Sequence, residues 1–137
     1  MTNSTHGRGR VKLLLDTHAL LWWATREAAL PPRVRNALAD RSRDIFVSSA
    51  STWEIATKVR LGKLRWPPEA GTVSDYIIRQ GFRPLPISLK QAELAGALPI
   101  AHRDPFDRML IAQSQSEDMW LVSNETVFDS FGIRRFW

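Results

Sequence analysis

The chain has 137 residues, 44% of them hydrophobic, which is enough for one domain with a real core and excludes wholesale disorder. It has no cysteine and three scattered histidines, which excludes disulfides and thiolate metal sites and argues against zinc. The formal net charge of +5 favours a polyanionic partner, either nucleic acid or an acidic protein.

Residues 1–10 are polar and rich in Gly and Arg, without the apolar centre of a signal peptide, and read as a loose tail. Residues 11–137 read as a single domain. No apolar run is long enough to span a membrane, so a cytoplasmic protein is expected. Val11 to Leu15 is a short apolar run ending at Asp16 and reads as a buried parallel strand. Thr17 to Thr25 follows as helix, and Pro32 to Asp40 as a second helix after Pro31. Asp44 to Ser48 is the second strand. Ser48, Ser49 and Ser51 supply caps for a helix running to about Leu61, stopped by Gly62.

Arg65 to Pro68 is a loop, Thr72 to Gln80 a helix ended by Gly81, and Pro84 to Ile87 a short strand whose prolines place it at an edge. Ser88 caps a helix through Leu98, whose Ala92, Ala95 and Gly96 imply close packing against a neighbour. Asp104 is a good N-cap and Pro105 a good first residue for a helix to about Glu117. Trp120 to Ser123 is a strand, a helical turn runs to Phe131, and Ile133 to Phe136 is the last strand. The alternation predicts an α/β fold, three layers deep, around a central, mainly parallel sheet of about five strands.

In such folds ligands bind outside the carboxyl ends of the strands, near the switch in strand order. Asp16 ends the first strand, Glu54 lies one turn into the helix after the second, and Asn124 and Glu125 follow the fourth. Those positions map to one edge of the sheet. Asp104 and Asp107 open the helix that leads into the fourth strand. Each has an ordinary explanation: capping for Asp16 and Asp104, an i,i+4 pair with Lys58 for Glu54, a turn for Asn124, and helix-dipole chemistry for Asp107 and Glu125. Jointly, several carboxylates at one mouth repel strongly unless cations neutralise them. Oxygen ligands of this kind suit Mg²⁺ or Mn²⁺, and the matching reaction is phosphodiester hydrolysis.

Four blocks then carry a resemblance. They are Leu14-Leu15-Asp16-Thr17-His18-Ala19-Leu20-Leu21-Trp22-Trp23, Val47-Ser48-Ser49-Ala50-Ser51-Thr52-Trp53-Glu54-Ile55-Ala56-Thr57-Lys58 with Gly62-Lys63-Leu64, His102 to Gln113, and Leu121-Val122-Ser123-Asn124-Glu125. In this order and spacing the chain resembles PIN-domain ribonucleases, specifically the VapC-type toxins of toxin–antitoxin pairs. The resemblance implies a PIN fold and a Mg²⁺- or Mn²⁺-dependent endoribonuclease with Asp16, Glu54 and Asp107 as its characteristic acids. Asp104 is an extra acid beside the third. The family's fourth block reads Thr-x-Asp, whereas here it is Ser123-Asn124-Glu125, so Glu125 or Asn124 completes the metal shell. The resemblance also implies a small antitoxin partner, and a homodimer or a toxin–antitoxin hetero-oligomer.

Trp22 and Trp23 read as core or antitoxin groove, Trp53 as packing, His18 as a packed histidine, and Trp66 as an exposed loop residue. Lys58, Arg103 and Arg108 are candidate phosphate contacts. Two competing readings are a non-catalytic module of the same fold that binds RNA or an antitoxin, and a phosphoryl-transfer enzyme with Asp16 as nucleophile. His18 stands where the latter wants a second Asp.

Overall fold

The structure is a computed structural model, and it describes residues 10–137. The tail expected at residues 1–10 lies, apart from Arg10, outside the described residues. Five strands form one sheet: β1 (Lys12–Leu15), β2 (Asp44–Ser48), β3 (Arg83–Leu85), β4 (Trp120–Val122) and β5 (Arg135–Phe136). Their order is β3-β2-β1-β4-β5, and every neighbouring pair is parallel. The helices are α1 (Thr17–Thr25), α2 (Pro32–Ala39), α3 (Ser49–Arg60), α4 (Val73–Arg79), α5 (Leu89–Ala97) and α6 (Pro105–Glu117), with short 3₁₀ turns at Pro68–Ala70 and Thr126–Phe131. Among the described residues no helix is long and apolar enough to cross a membrane.

The three layers follow from the period-2 alternation of the strands. Leu13 and Leu15 of β1 join a core built with α1, α2 and α4. Leu14, between them, joins a second core on the opposite face with Leu110 and Ile111 of α6 and Ala95 of α5. Because both faces of β1 are covered, its three leucines are at most 1% exposed, as a central parallel strand requires.

Side-chain caps account for most helix starts. Asp16 accepts from Ala19 N–H, Ser48 from Ala50 N–H, Thr72 from Asp75 N–H, and Ser88 forms a full capping box with Gln91. Gly62, at φ +74°, takes the left-handed conformation just past α3.

The edge strand differs from expectation. It begins at Arg83 and ends at Leu85 rather than running to Ile87, because Pro86 has no N–H to extend the ladder. The small residues of α5 also divide: Ala95 is buried, whereas open space surrounds Gly96.

Candidate active site

The strand order reverses at β1, which has β2 on one side and β4, reached by a return crossover, on the other. The crevice at this switch lies between the carboxyl ends of β1 and β4. Asp16 is the first residue past β1, and its N–H donates to Val122 O of β4 at 3.0 Å. Glu125 follows β4 after the buried Ser123, whose hydroxyl accepts the Glu125 N–H at 3.0 Å. A cavity of about 120 Å³ opens here, lined by Asp16, Thr17, His18, Glu54, Lys58, Asp104, Asp107 and Glu125. The starts of α1, α3 and α6 thus bring four carboxylates to one mouth, and the turn after β4 adds Glu125. Asn124 is exposed and does not line it.

Asp16 is only 3% exposed. Its Oδ1 accepts the Ala19 N–H at 2.7 Å, while its buried Oδ2 has no hydrogen-bond partner. Burial raises its carboxyl from the usual 3.8 to about 6, against the lowering influence of Ser123, the Ala19 N–H and His18. Glu54, 4% exposed, is fully engaged. The Thr17 hydroxyl donates to its Oε1 at 2.6 Å, and Lys58 Nζ donates to its Oε2 at 2.5 Å. The i,i+4 pair expected with Lys58 therefore forms, but around a buried carboxylate. The hydrogen bond to Glu54 raises the Lys58 ammonium above its usual value.

Asp104 caps α6 with one oxygen, accepting from Phe106 N–H at 2.9 Å and Asp107 N–H at 3.1 Å. This cap orients the first turn, so that Asp107 faces the mouth. Asp107 is raised by burial, partly offset by His102, whose Nε2 lies 2.9 Å from its Oδ2. Glu125 is half-exposed, 4.0 Å from His18 Nδ1. His18 itself is exposed against the edge of Trp22 and is not the packed histidine expected, because its side chain leaves α1 toward the mouth rather than the core.

The only sequence signal for His102 is its place in the block ahead of Asp107. Arg108 was a candidate phosphate contact, yet its guanidinium donates to the carbonyls of Ala95, Gly96, Leu98, Ile100 and His102. It ties the α5–α6 loop together, and thereby holds His102 against Asp107. Trp66 is half-buried against Tyr76 and donates to Gly71 O at 2.8 Å, rather than standing free. Trp53, expected to pack, is 62% exposed.

A larger open cleft of about 890 Å³ lies elsewhere, beside half-buried Trp22 and Trp23, with Tyr76 and Arg79 on its far wall. It shares no residue with the acidic mouth and lacks converging carboxylates, so its size does not make it the site of chemistry.

The donor set at the mouth is mainly carboxylate oxygen, with the Thr17 hydroxyl and the His18 imidazole beside it, and the partnerless Asp16 Oδ2 is the atom most in need of a cation. Glu54 instead faces the Lys58 ammonium, and Asp107 the His102 imidazole. Among the described residues no three His, Asp or Glu side chains are arranged to hold a metal as they stand. Carboxylate oxygen is nevertheless the donor chemistry that suits Mg²⁺ or Mn²⁺, and Lys58 stands against Glu54 where positive charge is needed.

A PIN domain family model matches residues 13–133, and the chain belongs to the PIN domain family. No curated protein sequence matches the chain. Its fold is similar to that of the DNA-bound VapBC complex from Salmonella typhimurium (TM-score 0.67, 20% identity, 91% of this chain and 96% of that one). It is also similar to FitAcB from Neisseria gonorrhoeae (0.64, 15%, 91% and 96%) and to VapC20 of Mycobacterium tuberculosis, a sarcin–ricin loop cleaving toxin (0.60, 15%, 91% and 98%).

Proposed function

We propose that the chain is a divalent-metal-dependent endoribonuclease, the toxin of a cytoplasmic toxin–antitoxin pair. The observation that carries this reading is the convergence of Asp16, Glu54, Asp107 and Glu125 on the switch-point crevice, with one Asp16 oxygen buried and unpartnered. Those four residues would hold Mg²⁺ or Mn²⁺, with Asp16, Glu54 and Asp107 essential and Asp104 near by as a cap. Asn124, exposed outside the cavity, would contribute least. When bound, such an ion supplies a water of lowered pKa and neutralises charge on the leaving oxygen.

The chain's own residues supply the arrangement. Thr17 fixes Glu54 by its hydroxyl, the Asp104 cap fixes the turn that presents Asp107, and the Ser123 hydroxyl fixes Glu125. Net positive charge draws an RNA backbone toward the mouth. An antitoxin partner, in a hetero-oligomer or with the toxin as a homodimer, is supported by neighbours that are themselves toxin–antitoxin complexes.

A second reading draws on a different observation. Glu54 is already ion-paired to Lys58 and Asp107 already hydrogen-bonded to His102, which suits a non-catalytic module that binds RNA or an antitoxin. Incubating the purified chain with RNA and Mn²⁺, with and without EDTA, separates the two. Cleavage abolished by EDTA and by Asp16→Asn supports the nuclease; RNA binding without cleavage in any metal supports the module. Cleavage that survives both treatments excludes a metal mechanism.

A further inference from the structure

Among the described residues, Lys58 is the one lysine or arginine that lines the acidic mouth. Its ammonium is committed to a single carboxylate. Nζ donates to Glu54 Oε2 at 2.5 Å, while the Thr17 hydroxyl donates to Glu54 Oε1 at 2.6 Å, so both oxygens of this buried group are engaged. Asp16 Oδ2, in the same cavity, is left without a partner. The hydrogen bond to Glu54, joined by the charges of Glu54, Asp104 and Asp107, raises the ammonium above its usual value against the opposing effect of burial. Lys58 is therefore held by the acid of its own helix and felt by both acids of α6.

An i,i+4 pair on a solvated helix face contributes little and obstructs nothing. This pair instead closes the crevice, because it occupies the one Glu54 oxygen that Thr17 does not hold. A divalent ion and an ammonium on that same oxygen are like charges in contact, and they repel too strongly to share it. The lysine is the partner able to yield. Its side chain is 33% exposed, against 6% for that of Glu54, and a flexible four-carbon stem carries Nζ. From these contacts we propose that Lys58 is the resident counter-ion of the metal-free mouth, that it gives up Glu54 when a divalent ion enters, and that the released ammonium then contacts the phosphate of the RNA being cut. This role rests on the nuclease reading and adds to it a residue that touches substrate. Rooted one turn past Glu54, the released ammonium stays at the mouth, where a bound phosphodiester brings new anionic oxygens. The exchange leaves Glu54 facing a cation throughout, so its buried charge is never uncompensated.

The test compares wild type with Lys58→Gln, which keeps a hydrogen-bond donor but no charge, and with Lys58→Arg, which keeps the charge. Mn²⁺ affinity is measured first, without RNA, from the paramagnetic resonance signal of the free ion. Removing the competing cation is expected to tighten Mn²⁺ binding roughly tenfold in Lys58→Gln, while Lys58→Arg stays within about threefold of wild type. Lys58→Met, a second uncharged variant, is expected to bind Mn²⁺ more tightly as well. Cleavage is then measured at Mn²⁺ concentrations that saturate every protein. There Lys58→Gln is expected to lose about 100-fold in kcat/KM, and Lys58→Arg to retain most of it. Tighter metal binding with slower cleavage is a split that the loss of a merely structural ion pair does not produce. Mn²⁺ binding that is unchanged or weaker in both uncharged variants overturns the counter-ion role. Undiminished cleavage by saturated Lys58→Gln overturns the phosphate contact. If the uncharged variants bind Mn²⁺ more tightly but no protein cleaves RNA, the counter-ion role stands, and the phosphate contact falls with the nuclease reading.

Discussion

Replacing Asp16 by Asn should improve the metal-free protein's stability relative to wild type as pH rises toward neutral, while destroying its activity. Asp16 is buried, and its carboxyl is raised from 3.8 to about 6 by that burial. The folded state thus holds its proton more tightly than the unfolded chain does. Below about pH 4 the group is protonated in both states and costs nothing. Between about pH 4 and pH 6 the unfolded chain ionises while the folded one keeps its proton, so stability falls; above about 6 the folded carboxyl is ionised too and the penalty levels off. At about 1.4 kcal/mol per pH unit, the penalty reaches about 3 kcal/mol by neutral pH.

Asn keeps the side-chain oxygen that caps α1 and carries no charge. Its amide N–H₂ replaces an oxygen that has no partner, which costs about 1–3 kcal/mol at every pH. The pH-dependent part is therefore the diagnostic quantity. Chemical denaturation of both proteins in EDTA, from about pH 4.5 to about pH 7.5, should show the stability difference shifting toward the variant by about 2 kcal/mol, or roughly 7 °C in Tm. Saturating Mg²⁺ should stabilise wild type and leave Asp16→Asn unmoved. A stability difference that does not change with pH would refute the account of Asp16 as an ionised carboxylate kept buried for a cation.

Further predictions follow from the partners of the other acids. Lys58→Met leaves Glu54 buried without its cation and should lower stability in EDTA by about 1–2 kcal/mol, with most of the loss restored by Mn²⁺ in a thermal melt. Asp107→Asn should reduce RNA cleavage at least about 100-fold and Glu125→Gln about tenfold or less, read as kcat/KM on one RNA, because Asp107 is oriented by its cap and Glu125 is half in solvent. Arg108→Met removes the donor to five carbonyls; faster hydrogen exchange over residues 98–103 should accompany a loss of about 2 kcal/mol.

The element order was legible because local chemistry and global fold agree. Asp16, Ser48, Ser88 and Asp104 each cap the helix that their positions foretell, and the leucines of β1 alternate between two cores as a central strand must. That Asp16, Glu54 and Glu125 share one edge was also readable, because every helix that directly follows a strand of a parallel sheet starts there.

The sequence did not disclose what each carboxylate touches. The place of His102 depends on Arg108 gathering the carbonyls of a loop, a tertiary event without local pattern. The exposure of Trp53 and His18 depends on which side of α3 and α1 is left uncovered, and hydrophobic periodicity is weak in these two helices because α1 carries adjacent Trp22 and Trp23 and α3 places the exposed Trp53 beside the buried Glu54. Glu125 in the cavity and Asn124 outside it differ by one residue of turn geometry, set by the Ser123 hydroxyl.

The central claim is that the carboxylate mouth holds the ion with which the chain cuts RNA. A Mn²⁺ titration tests it most directly, with bound metal read from the loss of the free Mn²⁺ paramagnetic resonance signal and cleavage of a labelled single-stranded RNA read in the same samples. The account predicts that binding and cleavage saturate together, and that both disappear in Asp16→Asn and in EDTA. Cleavage without bound Mn²⁺, or Mn²⁺ bound as tightly by Asp16→Asn as by wild type, would contradict it.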